Sequence, residues 1–283
     1  MKILVTGATS GLGRNAVQYL LQSGESVVAT GRNCEVGRSL TNAGAQFVAL
    51  DLTEATEDDC ARLMDGCDAV WHCAAKSSPW GSDKTAFWLA NVKVTHTLAQ
   101  AAGRLNIPRF IHISTPAVYF DFQHHYDLPE TYLARAFSSH YASSKYAAEQ
   151  VIAGAVSRYS ATRFILLRPR GLFGPHDQVI VPRLMQQLQQ GGGCLRLPRG
   201  GDALLDLTFV QNVVYAMRLA TNVEGLRSGS IYNISNHQPQ QLSVMLDVCL
   251  AAPATGLELP HCCCSLVAAF SDRAWPGTVW EVR

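Results

Sequence analysis

The chain has 283 residues, 48% of them apolar and 16% charged, with a formal net charge of +1. That length suits one large α/β domain with a sizeable core, and so even a balance of charge argues against a general nucleic-acid binder, whose footprint would be basic. No run of about 18 apolar residues suggests a membrane span, while nine irregularly spaced cysteines, and a start (Met1-Lys2) that leads straight into Ile3-Leu4-Val5 with no signal peptide, fit free thiols in a reducing cytoplasm.

Taken in chain order, short β-rich runs alternate with longer helical patterns. Residues 2–6, 26–30, 46–50, 69–73, 110–114 and 163–168 read as strands, several of them continuously apolar, as strands covered on both faces must be. Between them, residues 12–23, 38–43, 57–65, 82–105 and 140–158 carry helical spacing. The alternation predicts a Rossmann-type, doubly wound parallel sheet. After Pro169 the pattern loosens, with Gly171, Gly174-Pro175 and Gly191-Gly192-Gly193 as punctuation. Residues 181–190 and 209–221 look helical and 230–234 looks like a strand. The expected organisation is a nucleotide-binding domain over 1–168, a small C-terminal substrate-binding lobe packed on it over 169–260, and an atypical tail over 261–283. That tail contains Cys262-Cys263-Cys264, a poor metal site because one short run does not wrap a tetrahedral ion. No metal site is expected elsewhere: His124-His125 and His140 lack ligand companions at a useful spacing.

The first strand runs into Thr6-Gly7-Ala8-Thr9-Ser10-Gly11-Leu12-Gly13, and a helix follows. That context gives a glycine-rich motif meaning. Gly7 permits the turn, Gly11 clears space for a pyrophosphate, and Gly13 lets the helix pack closely on the sheet, so that Thr9, Ser10 and Leu12 line an anion cradle at the helix start. The second strand ends Ala29-Thr30-Gly31-Arg32-Asn33 with no carboxylate to accept from ribose hydroxyls. Arg32 stands where a 2′-phosphate needs a partner, and Arg14 can assist, which favours NADP over NAD. Asp51-Leu52 follows the third strand; the carboxylate can meet the adenine amino group or cap the next turn. In His72-Cys73-Ala74-Ala75, the small Ala74 and Ala75 allow cofactor approach, and His72 reads as a structural, hydrogen-bonded residue.

Tyr141-Ala142-Ser143-Ser144-Lys145 heads a long helical pattern, so Tyr141 and Lys145 share one face. The lysine cation is expected to lower the phenol toward neutrality, making Tyr141 a general acid or base. The fifth strand ends Ile113-Ser114-Thr115-Pro116; a hydroxyl there can hold the substrate oxygen, with Thr115 the first candidate and Ser114 the second. Asn91, in a long helix that suits asparagine poorly, can anchor a water, kink the helix, or be a plain polar position.

Together, TGATSGLG, HCAA, Asn91 before Val92-Lys93-Val94-Thr95, ISTPAVY, YASSK, LRPRGLFGP, Asp206-Leu207-Thr208-Phe209-Val210 and Ile231-Tyr232-Asn233-Ile234-Ser235 resemble the extended short-chain dehydrogenase/reductase family, the NAD-dependent epimerase/dehydratase superfamily, over roughly residues 1–250. Residues 74–81 and ISTP look most like its 3β-hydroxysteroid dehydrogenase and 2-alkyl-3-oxoalkanoate reductase branch. The resemblance implies hydride transfer at a secondary alcohol or ketone, with Thr115, Tyr141 and Lys145 as catalytic triad, Asn91 as a fourth member, Pro169 near the nicotinamide, and a homodimer. The second glycine falls one residue later than is usual there, and Gln211-Asn212 replaces a pattern that often holds an acidic residue. Trp80, Phe87, Trp88, Phe120, Phe122 and Phe173 suggest an apolar pocket for a steroid-like or β-keto substrate, or are simply core. A nucleotide-sugar epimerase or dehydratase, using Arg183, Arg196 and Arg199 for a diphosphate, is one alternative. A non-catalytic NADP-sensing or scaffold protein is another.

Overall fold

The structure, a computed structural model, describes residues 1–77, 82–123, 125–191 and 201–251. Residues 78–81 with Trp80, His124, Gly192, Gly193, Cys194, Arg196, Arg199 and the tail over 261–283 lie outside the described residues.

The strands are β1 (Lys2–Thr6), β2 (Ser26–Gly31), β3 (Gln46–Ala49), β4 (Ala69–His72), β5 (Arg109–Ile113), β6 (Arg163–Pro169), β7 (Leu172–Phe173), β8 (Leu204–Leu205), β9 (Thr208–Phe209), β10 (Ile231–Ile234) and β11 (Gln240–Gln241). The α-helices are α1 (Gly11–Gln22), α2 (Cys34–Asn42), α3 (Glu57–Leu63), α4 (Lys84–Phe87), α5 (Val94–Arg104), α6 (His140–Arg158), α7 (Ile180–Gln190), α8 (Val210–Asn222) and α9 (Leu242–Ala251). Seven strands form one parallel sheet in the order β10-β6-β5-β4-β1-β2-β3. The chain starts in the middle, winds outward to β3, then returns and winds the other way, which leaves a crevice at the carboxyl ends of β1 and β4.

Alternate residues of the strands feed two cores. Ile3, Val5, Trp71, Ile111 and Ile165 pack with Leu12, Ala16 and Leu20 of α1 and Val213, Val214 and Met217 of α8. Leu4, Val70, Phe110, Phe164 and Leu166 pack on the opposite face with Cys60 and Leu63 of α3, Leu98 and Ala102 of α5, and Ile152 and Ala155 of α6. Part of the stretch assigned to the substrate-binding lobe therefore completes the main domain. β10 extends the sheet beside β6, and α8 closes one core, its Thr221 hydroxyl accepting from Trp71 Nε1 at 2.8 Å.

Two helices differ from expectation for local reasons. α2 begins at Cys34, earlier than residue 38, because the Asn33 side chain accepts from Glu35 N and Val36 N and so starts the helix. The single helix expected over 82–105 is three pieces: α4, a π-helical turn at Trp88–Lys93, and α5. Among the described residues no helix is long and apolar enough to cross a membrane, and no cluster of His, Cys, Asp and Glu could hold a metal ion.

Candidate active site

The glycine-rich turn follows β1. Gly7 adopts φ +65°, and a Cβ there would meet Ala74 backbone at 2.7 Å. A Cβ at Gly13 would stand 2.2 Å from Gly7 O, so helix and turn touch backbone to backbone. Gly11 has a reason the sequence did not supply: a Cβ there would lie 2.8 Å from the His176 carbonyl oxygen, so the glycine admits the segment after β7 as well as any ligand. Ser10 donates to Gly7 O at 2.7 Å and makes no side-chain cap on α1. In contrast, Asn33, Thr56 and Ser139 cap α2, α3 and α6. Among the described residues the first N–H groups of α1 thus have no side-chain cap, beside Thr9 and Leu12, in the geometry that suits a phosphate group. A dinucleotide fits this cradle.

At the end of β2 the Arg32 side chain is 77% exposed, and Nη1 lies 3.6 Å from Asp51 Oδ2. Asp51 accepts from Thr53 N at 2.9 Å and Thr53 Oγ1 at 2.8 Å, bonds that hold its carboxyl below the usual range, with Arg32 adding to the effect. It therefore performs the turn-capping role. Leu52 beside it is buried.

Across the sheet, α6 starts at Ser139, whose side chain accepts from Ala142 N, and carries Tyr141 and Lys145 on one face. Thr115 lies just past β5, where its hydroxyl accepts from Ala117 N at 3.2 Å. Burial pushes Tyr141 above the ordinary tyrosine value, and the Thr115 hydroxyl opposes that rise. The expected lowering by Lys145 is absent and stands corrected: the ammonium, itself buried, donates to Ile113 O, and burial takes it down to about 8. The second candidate hydroxyl, Ser114, is engaged elsewhere. It donates to Glu149 Oε1, part of a buried pair in which Arg168 Nε and Nη2 reach the same carboxylate at 2.8 and 2.6 Å. Arg168 Nη1 also donates to Tyr119 OH and Glu130 O.

Asn91 sits in the π-turn, 1% exposed. Oδ1 accepts from Lys76 N at 2.8 Å, and Nδ2 donates to Lys76 O at 3.1 Å and Ser144 Oγ at 2.9 Å. Ser144 Oγ in turn donates to Tyr141 O at 2.8 Å. Asn91 therefore splices the segment after Ala74 and Ala75 onto the first turn of α6, a role beyond a plain polar helix position.

His72 has the structural role expected of it, and its tautomer follows from its partners. Thr95 Oγ1 donates to Asn91 O at 2.6 Å, so it accepts from His72 Nε2 at 2.9 Å. Thr6 Oγ1 accepts from Ala74 N at 3.2 Å and donates to His72 Nδ1 at 2.8 Å. The proton is on Nε2 and the ring is neutral; burial takes it down to about 3. His112 lies beside it in register, with ring centroids 5.2 Å apart, and neither of its buried nitrogens has a hydrogen-bond partner among the described residues. Cys73, next to this group, is pushed up to about 12 by burial, which leaves an unreactive thiol.

Of the other candidates, Pro169 ends β6, Phe87 is core and 6.4 Å from the Tyr141 ring, and Phe173 packs on Phe209. Trp88, Phe120 and Phe122 are exposed, as is Arg183 on α7. The roles of Ser144, Glu149, Arg168 and Asn15 were not read from the sequence; the signal was a polar residue on an otherwise apolar helix phase for the first two and Asn15, and a charged residue in an apolar strand for Arg168.

A family model described as the NAD dependent epimerase/dehydratase family matches residues 3–235. Uncharacterized protein YbjS of Escherichia coli (strain K12) is 47% identical over 244 residues, 86% of this chain and 72% of that protein. A 2-alkyl-3-oxoalkanoate reductase of Stenotrophomonas maltophilia (strain K279a) is 32% identical over 287 residues, 98% of this chain and 84% of that one. In fold, the chain is similar to UDP-glucuronic acid 4-epimerase from Bacillus cereus solved with NAD. The TM-score is 0.79 at 23% identity, covering 89% of this chain and 83% of that one.

Proposed function

The chain belongs to the NAD dependent epimerase/dehydratase family, and from its site we propose that it is an NAD(P)-dependent dehydrogenase or reductase acting on a secondary alcohol or ketone. When bound, the nicotinamide supplies or takes up the hydride. The observation that carries the reading is the Tyr141 side chain, electrostatically coupled to the Thr115 hydroxyl at the end of β5, one helical turn from buried Lys145, on the same sheet edge as the uncapped glycine turn.

Gly7, Thr9, Ser10, Gly11, Leu12 and Gly13 would hold the pyrophosphate, Ala74 and Ala75 would leave room for it, and Pro169 would lie on the nicotinamide side. Thr115 orients the substrate oxygen, and Tyr141 exchanges a proton with that oxygen. Burial keeps the Tyr141 proton on the phenol at neutral pH, which suits the donor role in ketone reduction. Lys145, held by Ile113 O, would bind the cofactor ribose, and Asn91 fixes the turn that carries Tyr141. The exposed Arg32 guanidinium favours a 2′-phosphate, hence NADP. Described residues 170–191, 201–209 and 235–251 form the substrate-facing lobe. Exposed Phe120 and Phe122 and the resemblance to a 2-alkyl-3-oxoalkanoate reductase support an apolar β-keto or steroid-like substrate.

Calorimetric titration with NADPH and NADH tests the cofactor reading: tighter NADPH binding, lost in Arg32→Asp, is expected, and an NADH preference overturns it. With a 2-alkyl-3-oxoalkanoate or a 3-ketosteroid, Tyr141→Phe should lower turnover by about 10²–10⁴-fold at unchanged NADPH affinity. Unchanged turnover overturns the mechanism.

A further inference from the structure

Asn15 is a polar residue inside α1, 0% exposed, where asparagine is intrinsically poor. Its carboxamide is nonetheless used at both ends. Nδ2 donates to Gly11 O at 2.8 Å, in its own helix and inside the glycine turn, and to Pro175 O at 2.7 Å, in the segment after β7. Oδ1 accepts from Gln211 Nε2 at 2.9 Å, at the start of α8. The orientation is fixed by chemistry: both carbonyls can only accept, so the amide nitrogen must face them.

The segment it holds, residues 174–177, is conformationally committed. Gly174 has φ +129° and His176 has φ +62°. Its His176 carbonyl approaches Gly11 closely enough to exclude a Cβ there, and His176 Nε2 lies 3.2 Å from Gln18 Oε1 on α1. Asp177 then accepts from Val179 N and Ile180 N at 2.8 and 3.2 Å, so the same strap starts α7 on the substrate side. Gln211, which stands within the dipeptide that departs from the acidic family pattern, is thereby accounted for.

We propose that Asn15 is a positioning residue that couples occupation of the glycine cradle to the segment 174–180, and so joins cofactor binding to the substrate side. The proposal rests on the cofactor reading above. One amide ties Gly11 O, Pro175 O and α8 together, so a shift of the glycine turn on taking up pyrophosphate is carried to the strap through hydrogen bonds with no solvent between them. An apolar residue of the same size would fill the space and leave Pro175 O and Gln211 Nε2 unjoined.

Hydrogen exchange read by mass spectrometry, with and without NADPH, tests this in the full chain. In the unaltered protein NADPH should slow exchange both at residues 7–14 and at 174–180. In Asn15→Leu the protection at 7–14 should persist, and that at 174–180 should fall about tenfold, the effect of losing the buried hydrogen bond to Pro175 O. Gln211→Met removes only the donor to Oδ1 and should lower the 174–180 protection about threefold, which keeps the test decisive if Asn15→Leu does not fold. A merely structural Asn15 would lower the melting temperature and leave the NADPH-induced change at 174–180 intact; that result overturns the coupling. Protection at 7–14 with none at 174–180 in the unaltered protein overturns it too. No protection at 7–14 overturns the cofactor reading itself.

Discussion

At the β1–α1 turn the candidate site is built of backbone; between β5 and α6 it is built of side chains. The turn depends on missing Cβ atoms: Gly7 and Gly13 let backbone touch backbone, and Ser10 makes no side-chain cap at the helix start. The opposite side works because polar groups are buried and joined: Asn91 to Ser144 to the Tyr141 carbonyl, and Ser114 to Glu149 to Arg168. A backbone site tolerates almost no added atom, whereas a side-chain network fails when one partner goes and another is left charged or unmet.

Substitutions should expose that difference in order of size. Gly13→Ala drives a methyl against Gly7 O, a backbone atom that cannot swing aside, and should cost about 3 kcal/mol or more or prevent folding, read by urea unfolding. Arg168→Met takes the guanidinium from the buried Glu149 carboxylate and leaves it Ser114 as its hydrogen-bond donor, which should cost about 3–5 kcal/mol in the same assay. A loss of under 1 kcal/mol there would mean that the pair is not buried as described.

The third test uses pH. Lys145 is taken by burial from the ordinary lysine value to about 8. Between about 8 and the ordinary value the unfolded chain holds a proton that the folded chain releases, so stability rises with pH across this window. Lys145→Met should remove that rise, measured as the difference in urea midpoint between the two proteins at about pH 7.5 and about pH 9.5. The comparison must be made between proteins because Cys60, Cys67 and Cys73, whose thiols burial raises, pull stability down as pH climbs past the ordinary thiol value. The smallest effect concerns His112, whose two buried ring nitrogens lack partners among the described residues. His112→Leu should raise stability by about 1 kcal/mol, and a clear loss would mean that the ring is bonded after all.

The same contrast explains what could be read from sequence. Strand–helix alternation gave the sheet, and the glycine turn was legible because a tight backbone path restricts which residues can occupy it. Tyr141, Lys145 and Thr115 were legible because their spacing along one helix and at one strand end already constrains where they meet. The partners of Ser114, Asn91 and Asp51 were not, since a hydroxyl or an amide carries no mark of which neighbour it will satisfy. Lys145 shows the limit sharply: sequence proximity suggested a cation acting on Tyr141, but the folded chain spends that ammonium on the Ile113 carbonyl.

The π-turn at Trp88–Lys93 carries a consequence for how the chain is aimed. Each such turn closes over one residue more than an α-turn, which slips the phase of everything downstream by roughly 100°. α4 and α5 are therefore not one rod but two pointers with different bearings: Phe87 is aimed at the Tyr141 ring, while Val94, Leu98 and Ala102 are aimed at the core shared with α3 and α6. Removing any single residue from this stretch would let a continuous α-helix form, and that straightened helix could satisfy only one of the two bearings.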